Sequence, residues 1–157
     1  MNDGLYSAML HLHSIGRWIV LILLLVAIFR SISAGNRNFT HADQRVGTFL
    51  TIFADIMLLV GIYLYFVGNN GYNQLKEYDG MGEVMKNSTA RFFVVEHLVG
   101  MLIAIILLHI GKAQGKKDLP HKTKHRRTVL YYVLALLIII AMIPWPFREV
   151  GLHRGWY

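Results

Sequence analysis

The sequence has no cysteine, which removes disulfides, thiolate metal sites and iron–sulfur clusters from consideration. Proline is scarce: Pro120 interrupts a basic connection, and Pro144 and Pro146 close the last apolar run. Acidic residues number nine against 16 lysines and arginines. No Gly-x-Ser-x-Gly, Gly-x-x-x-x-Gly-Lys or His-Glu-x-x-His occurs, so the hydrolase elbow, the phosphate-binding loop and the zinc-protease helix are all missing. There is no low-complexity segment. If the chain does redox chemistry, that chemistry belongs to a bound cofactor.

What the chain has in excess is hydrocarbon. Of its 157 residues 55% are hydrophobic, with a mean hydropathy of +0.43, too apolar for an ordinary soluble domain of this length. Four runs carry the excess, at about 8–30, 46–67, 91–111 and 127–144. Each is close to the ~20 residues that cross a bilayer core as a helix. The expected fold is all-α: a single membrane domain over 1–157, built as an integral membrane four-helix bundle with the lipid bilayer as its first partner. The first run reads as a span and not as a cleaved leader. It lacks a basic segment before it and a small-residue cleavage site behind it, and it ends on Arg30.

The net charge of +7 is unevenly placed. Arg30, Arg37 and Arg45 lie in or beside the first connection, and Lys112, Lys116, Lys117, Lys122, Lys124, Arg126 and Arg127 in or beside the third. Ten of the 16 cations thus fall on one side of the membrane. The second connection balances Lys76, Lys86 and Arg91 against Glu77, Asp79 and Glu83. The positive-inside rule makes both basic connections cytoplasmic and puts the N and C termini outside. Attraction to anionic lipid accounts for the basic balance, so nucleic acid is not an expected partner.

Local signals fit four spans. Gly35-Asn36-Arg37-Asn38 separates the first helix from the second, which Thr40 or Asp43 would cap. The second connection holds Gly68, Gly71, Gly80 and Gly82 and reads as largely irregular, with a short interfacial helix within 72–86. Ser88 opens the third span, and Pro144-Trp145-Pro146 ends the fourth, leaving Trp145, Trp156 and Tyr157 as interfacial aromatics. The first and third spans share a His-x-x-Gly entry, His13 to Gly16 and His97 to Gly100.

Those two histidines are the candidate chemistry. His13 precedes Arg30 by 17 residues and His97 precedes Lys112 by 15, so in parallel helices both imidazoles lie at similar depth toward the outer leaflet. Ionisable groups inside hydrocarbon are costly and mark function. Two facing imidazoles can ligate one haem iron from both sides, and bundle cores are where such cofactors sit. Gly16 and Gly100 would let a flat macrocycle approach the backbone. Arg17, on the same face as His13, and Arg91 and Arg148 at the same surface would pair with its anionic propionates. His11 competes with His13 but points about 200° away around the helix. A second haem would use His109, about 18 Å further along the third span than His97, with His41 ahead of the second. Gly16, Gly61 and Gly100 also have a plain reading as contacts for close helix packing.

Here the chain resembles the small four-helix membrane-embedded cytochromes b of bacteria, including Bacteroidetes-type proteins labelled cytochrome b. The resemblance rests on Leu10-His11-Leu12-His13 with Arg17-Trp18, on His41 upstream of Gly47, and on His97 with His109. It implies b-type haem, one or two copies, in the bacterial inner (cytoplasmic) membrane. It also implies electron transfer with a quinone or a partner redox protein. The chain departs from that pattern in having Asp55 at mid-membrane in the second span and no histidine in the apolar part of the fourth.

Two other classes stand beside this one. A cofactor-free accessory or scaffold subunit of a larger membrane complex would use its polar helix residues for hydrogen bonds across interfaces. A small proton-coupled transporter would relay protons through Asp55, Glu96, His97 and His109, with Asp55 the central carrier. Four helices make a narrow pathway, so the transporter reading calls for a homo-oligomer.

Overall fold

The computed structural model describes residues 3–152; His153, Trp156 and Tyr157 lie outside them, and with the last two goes part of the expected aromatic belt. Two long helices, Asp3–Ile32 (α1) and His41–Val67 (α2), form the first hairpin. Two short helices, Gln74–Glu77 (α3) and Met81–Lys86 (α4), occupy the neutral connection where one was expected. Ser88–Arg91 (α5) runs through a π-helical turn, Phe92–Glu96, into His97–Ala113 (α6), and His121–Met142 (α7) completes the bundle. Among the described residues every regular element is helical.

Four of these helical stretches are long and apolar enough to cross a membrane: 4–32, 41–67, 88–116 and 121–142. Their exteriors are hydrocarbon. Ile22, Leu59, Ile106 and Leu137, one from each span, are 57–68% exposed. A water-soluble bundle turns polar side chains outward and hides these, so the chain is a multi-pass membrane protein whose outer face is solvated by lipid.

The helix ends explain why the spans overrun the expected limits. α2 starts at His41, not 46, because Asp43 organises the turn before it: its carboxylate accepts from the Thr40 N–H at 2.8 Å, from Arg30 at 3.1 Å and from Arg37 at 2.8 Å. The acid at the third helical position satisfies an orphan N–H and meets the positive end of the helix dipole. The third span opens at Ser88, as expected, and is capped by Asn87, whose side-chain oxygen accepts from the Ala90 N–H at 2.9 Å.

Packing follows a ring: α1 against α2 and α7, and α6 against α2 and α7. α1 and α6 are therefore diagonal, facing each other across the core. The half of the bundle nearer the basic connections is well filled, with Leu24, Leu50, Leu108 and Ala135 at 0% exposure. There Tyr132 of α7 lies against Gly111 of α6, where an added Cβ would stand 2.5 Å from its ring, and its hydroxyl reaches Gly47 of α2. The other half is not filled.

Candidate functional site

Toward the neutral end the four spans enclose a cavity of about 470 Å³, within the about 300–1,000 Å³ typical of small-molecule and cofactor sites. Its walls are mainly aliphatic, from Val20, Leu58, Met101, Ile105 and Ile139, and its polar groups include His11, His13, Arg17 and His97.

His13 and His97 reach this space from the diagonal helices. Their ring centroids are 6.3 Å apart, with the planes inclined at 65°. A metal–imidazole bond is about 2 Å long, so two rings that both held one metal ion would stand several ångströms apart. The observed spacing is compatible with both imidazoles reaching one iron, and equally with an edge-to-face contact between the rings. His13 Nδ1 is buried and has no hydrogen-bond partner among the described residues. Its Cε1 lies over Gly61 of α2, where an added Cβ would come within 3.2 Å.

The environment of His97 follows from two prolines in the sequence. A helical carbonyl accepts from the N–H four residues on, but Ile140 and Met142 face Pro144 and Pro146, which have none. Each orphan finds a side chain instead. The Trp145 indole N–H donates to the Ile140 carbonyl at 2.9 Å, and His97 Nδ1 donates to the Met142 carbonyl at 2.7 Å. A carbonyl can only accept, so the neutral imidazole carries its proton on Nδ1 and its lone pair on Nε2. That arrangement is typical of metal-ligating histidines, whose other nitrogen is held by a backbone or carboxylate oxygen. The π-turn immediately before His97 adds a residue to the helical repeat where the ring must be aimed inward; such turns recur at functional sites.

The other expected site residues divide. Arg17 borders the cavity four residues from His13, and its guanidinium stands 5.4 Å from the Trp18 ring. His11 also borders it, so both α1 histidines reach the cavity rather than one; it is His13 that meets the His97 ring. Arg91 and Arg148 do not line it. Arg91 pairs with Glu96 at 2.6 Å and donates to the Met85 carbonyl. Arg148 covers the end of α7, donating to the Ala141 and Ile143 carbonyls, with its guanidinium over the Phe92 ring. Gly16 and Gly100 do not open onto the cavity either. Met57 fills the notch at Gly16 and Met142 the one at Gly100, leaving 2.2 Å and 2.5 Å to an added Cβ. Close helix packing, the plain reading of these glycines, is what the geometry supports.

The expected second pair is not brought together. His109 Nε2 meets Asp55 Oδ1 at 2.9 Å across the α2–α6 seam. His41, 14 residues before Asp55 on α2, is therefore about 21 Å away along that axis, too far to share an iron with His109. The relay set is divided as well, since Glu96 engages Arg91 and His97 engages the Met142 carbonyl. Among the described residues no three histidine or acidic side chains converge on one metal position.

Sequence reasoning passed over the Met142 carbonyl and gave Gly61 only a packing role. Pro146, four residues after Met142, is the signal that marks that carbonyl as available. No family model matches the chain, no curated protein is significantly similar to it, and no solved structure matches it significantly.

Proposed function

We propose that the protein is a b-type cytochrome of the bacterial cytoplasmic membrane, in which His13 of α1 and His97 of α6 would hold the iron of one haem b. The observation that supports this most is the meeting of two imidazoles from diagonal helices, 6.3 Å between centroids, in a cavity of about 470 Å³. When bound, haem b supplies reversible one-electron chemistry, exchanged with a quinone or a redox partner protein.

The chain's own residues supply the rest. The Met142 carbonyl holds the His97 ring through Nδ1 and increases the basicity of Nε2. Arg17 brings the nearby positive charge that a propionate needs in an apolar setting. The aliphatic walls would give a bound redox centre a low-dielectric surrounding, one of the levers on its potential. The positive-inside rule would turn both basic connections to the cytoplasm, which would put the site in the outer half of the membrane.

A reduced-minus-oxidised absorption spectrum of the detergent-purified protein from haem-replete cells tests this. Sharp b-type bands with one haem per chain by pyridine extraction are expected. A folded, colourless protein would overturn the proposal, and two haems per chain would overturn the single-site version.

A further inference from the structure

The Asp55–His109 pair plays no part in the cavity. It stands on the outside of the bundle, at the α2–α6 seam, with the two side chains 48% and 47% exposed. The exposed side chains that flank it at helical spacing are aliphatic: Ile52 and Leu59 on α2, Leu102 and Ile106 on α6, each 39–68% exposed. Intramembrane ionisable groups almost always face a bundle interior or a water-filled cavity, because hydrocarbon offers no compensating hydrogen bonds. A half-exposed aspartate–histidine pair turned toward lipid is thus incomplete in a single copy.

What would complete it can be read from the atoms left over. The bond between them uses His109 Nε2 and Asp55 Oδ1. His109 Nδ1 and Asp55 Oδ2 make no hydrogen bond with any described residue, and the polar side chains about one turn away on the same helices, Lys112 and Thr51, are joined to each other at 3.2 Å. When it carries no net charge, with the shared proton on either partner, the pair presents one donor at His109 Nδ1 and one acceptor at Asp55 Oδ2, side by side. Such a surface is complementary to itself under a two-fold axis, where residue i meets residue j and j meets i. An axis along the membrane normal keeps both copies in the same orientation and both pairs at one depth. With each imidazole protonated, two carboxylates and two imidazoliums close a ring with no net charge, in which the remaining N–H of each histidine reaches the remaining oxygen of the other copy's aspartate. A fully satisfied network of this kind is stable in a low-dielectric setting.

We infer that the occupant of this face is a second copy of the chain: a two-fold dimer joined through the α2–α6 seam and sealed by the Asp55–His109 pairs. The exposed aliphatic side chains on either side of the pair supply the remaining contact. This inference does not depend on what fills the cavity.

The absence of cysteine makes the test clean. Ile106→Cys places one thiol a turn from His109 on α6, and Leu137→Cys places one on the outer face of α7, away from the seam. Each variant is oxidised in native membranes at low expression. The expected result is a disulfide-linked dimer with Ile106→Cys and none with Leu137→Cys, the yield falling at least tenfold when Asp55→Ala is added to Ile106→Cys. Absence of the Ile106→Cys dimer, equal yields from the two positions, or a yield indifferent to Asp55→Ala would overturn the proposal. A lipid-soluble ligand with a hydroxyl or carbonyl head seated on the pair instead would give the first of these results. The comparison of the two single-cysteine proteins stands even if Asp55→Ala fails to fold.

Discussion

The double role assigned to His97 can be separated by two substitutions at that position. Nδ1 donates to the Met142 carbonyl at 2.7 Å, a group that Pro146 leaves without a backbone donor, while Nε2 is the proposed iron ligand. His97→Ala removes both. His97→Asn removes the ligand nitrogen but places an amide N–H near the former Nδ1, so the carbonyl stays bonded. A half-buried polar group stripped of its partner costs about 1–3 kcal/mol. Both variants lack the axial ligand, so comparing them in haem-free protein cancels any stabilisation by the cofactor. The prediction is that the asparagine variant is more stable than the alanine one by about 1–2 kcal/mol, read by thermal or denaturant unfolding in one detergent, while both lose axially ligated haem. Equal stability would refute the carbonyl bond as a structural element. Wild-type haem content in the asparagine variant would refute His97 as a ligand.

Other perturbations follow from named contacts. Gly61→Val puts side-chain carbon where only about 3.2 Å separates a Cβ from His13 Cε1; it should lower haem content at least several-fold by pyridine extraction while the helical circular dichroism holds, and full occupancy would show that His13 needs no such space. Asp43→Ala removes the acceptor shared by Arg30, Arg37 and the Thr40 N–H. Because both arginines are more than a third exposed, their ion pairs add little, and the lost cap sets the cost at about 1 kcal/mol, measurable as a lower unfolding midpoint with haem stoichiometry unchanged. Trp145→Phe leaves the Ile140 carbonyl opposite Pro144 without its indole donor and should cost about 1 kcal/mol; an unchanged midpoint would mean that water already serves that carbonyl.

The architecture was legible because it depends on composition alone. Twenty-residue apolar runs between polar connections leave a chain little choice but to span, and four such runs make a bundle. The meeting of His13 and His97 was also visible, since equal depth and parallel direction need only residue counting. The arginines and glycines were harder. Distance along the chain places Arg91 and Arg148 at the right surface, but it does not show that Glu96 and the end of α7 engage them first. Nor does a His-x-x-Gly spacing show that Met57 and Met142 take up the glycine notches. His109 was matched with His41 by end-of-helix position, whereas the register of α2 against α6 selects Asp55. Each of these depends on which helices become neighbours and at what offset, information carried by side-chain packing and not by periodicity.

The central claim is that one iron sits between His13 and His97, and the spin and ligation state of that iron tests it most directly. Electron paramagnetic resonance and near-infrared magnetic circular dichroism of the oxidised protein should report a six-coordinate low-spin haem with two imidazole ligands, lost in His13→Ala and in His97→Ala. A high-spin five-coordinate centre, a ligand other than imidazole, or a low-spin signal that survives both substitutions would contradict the account.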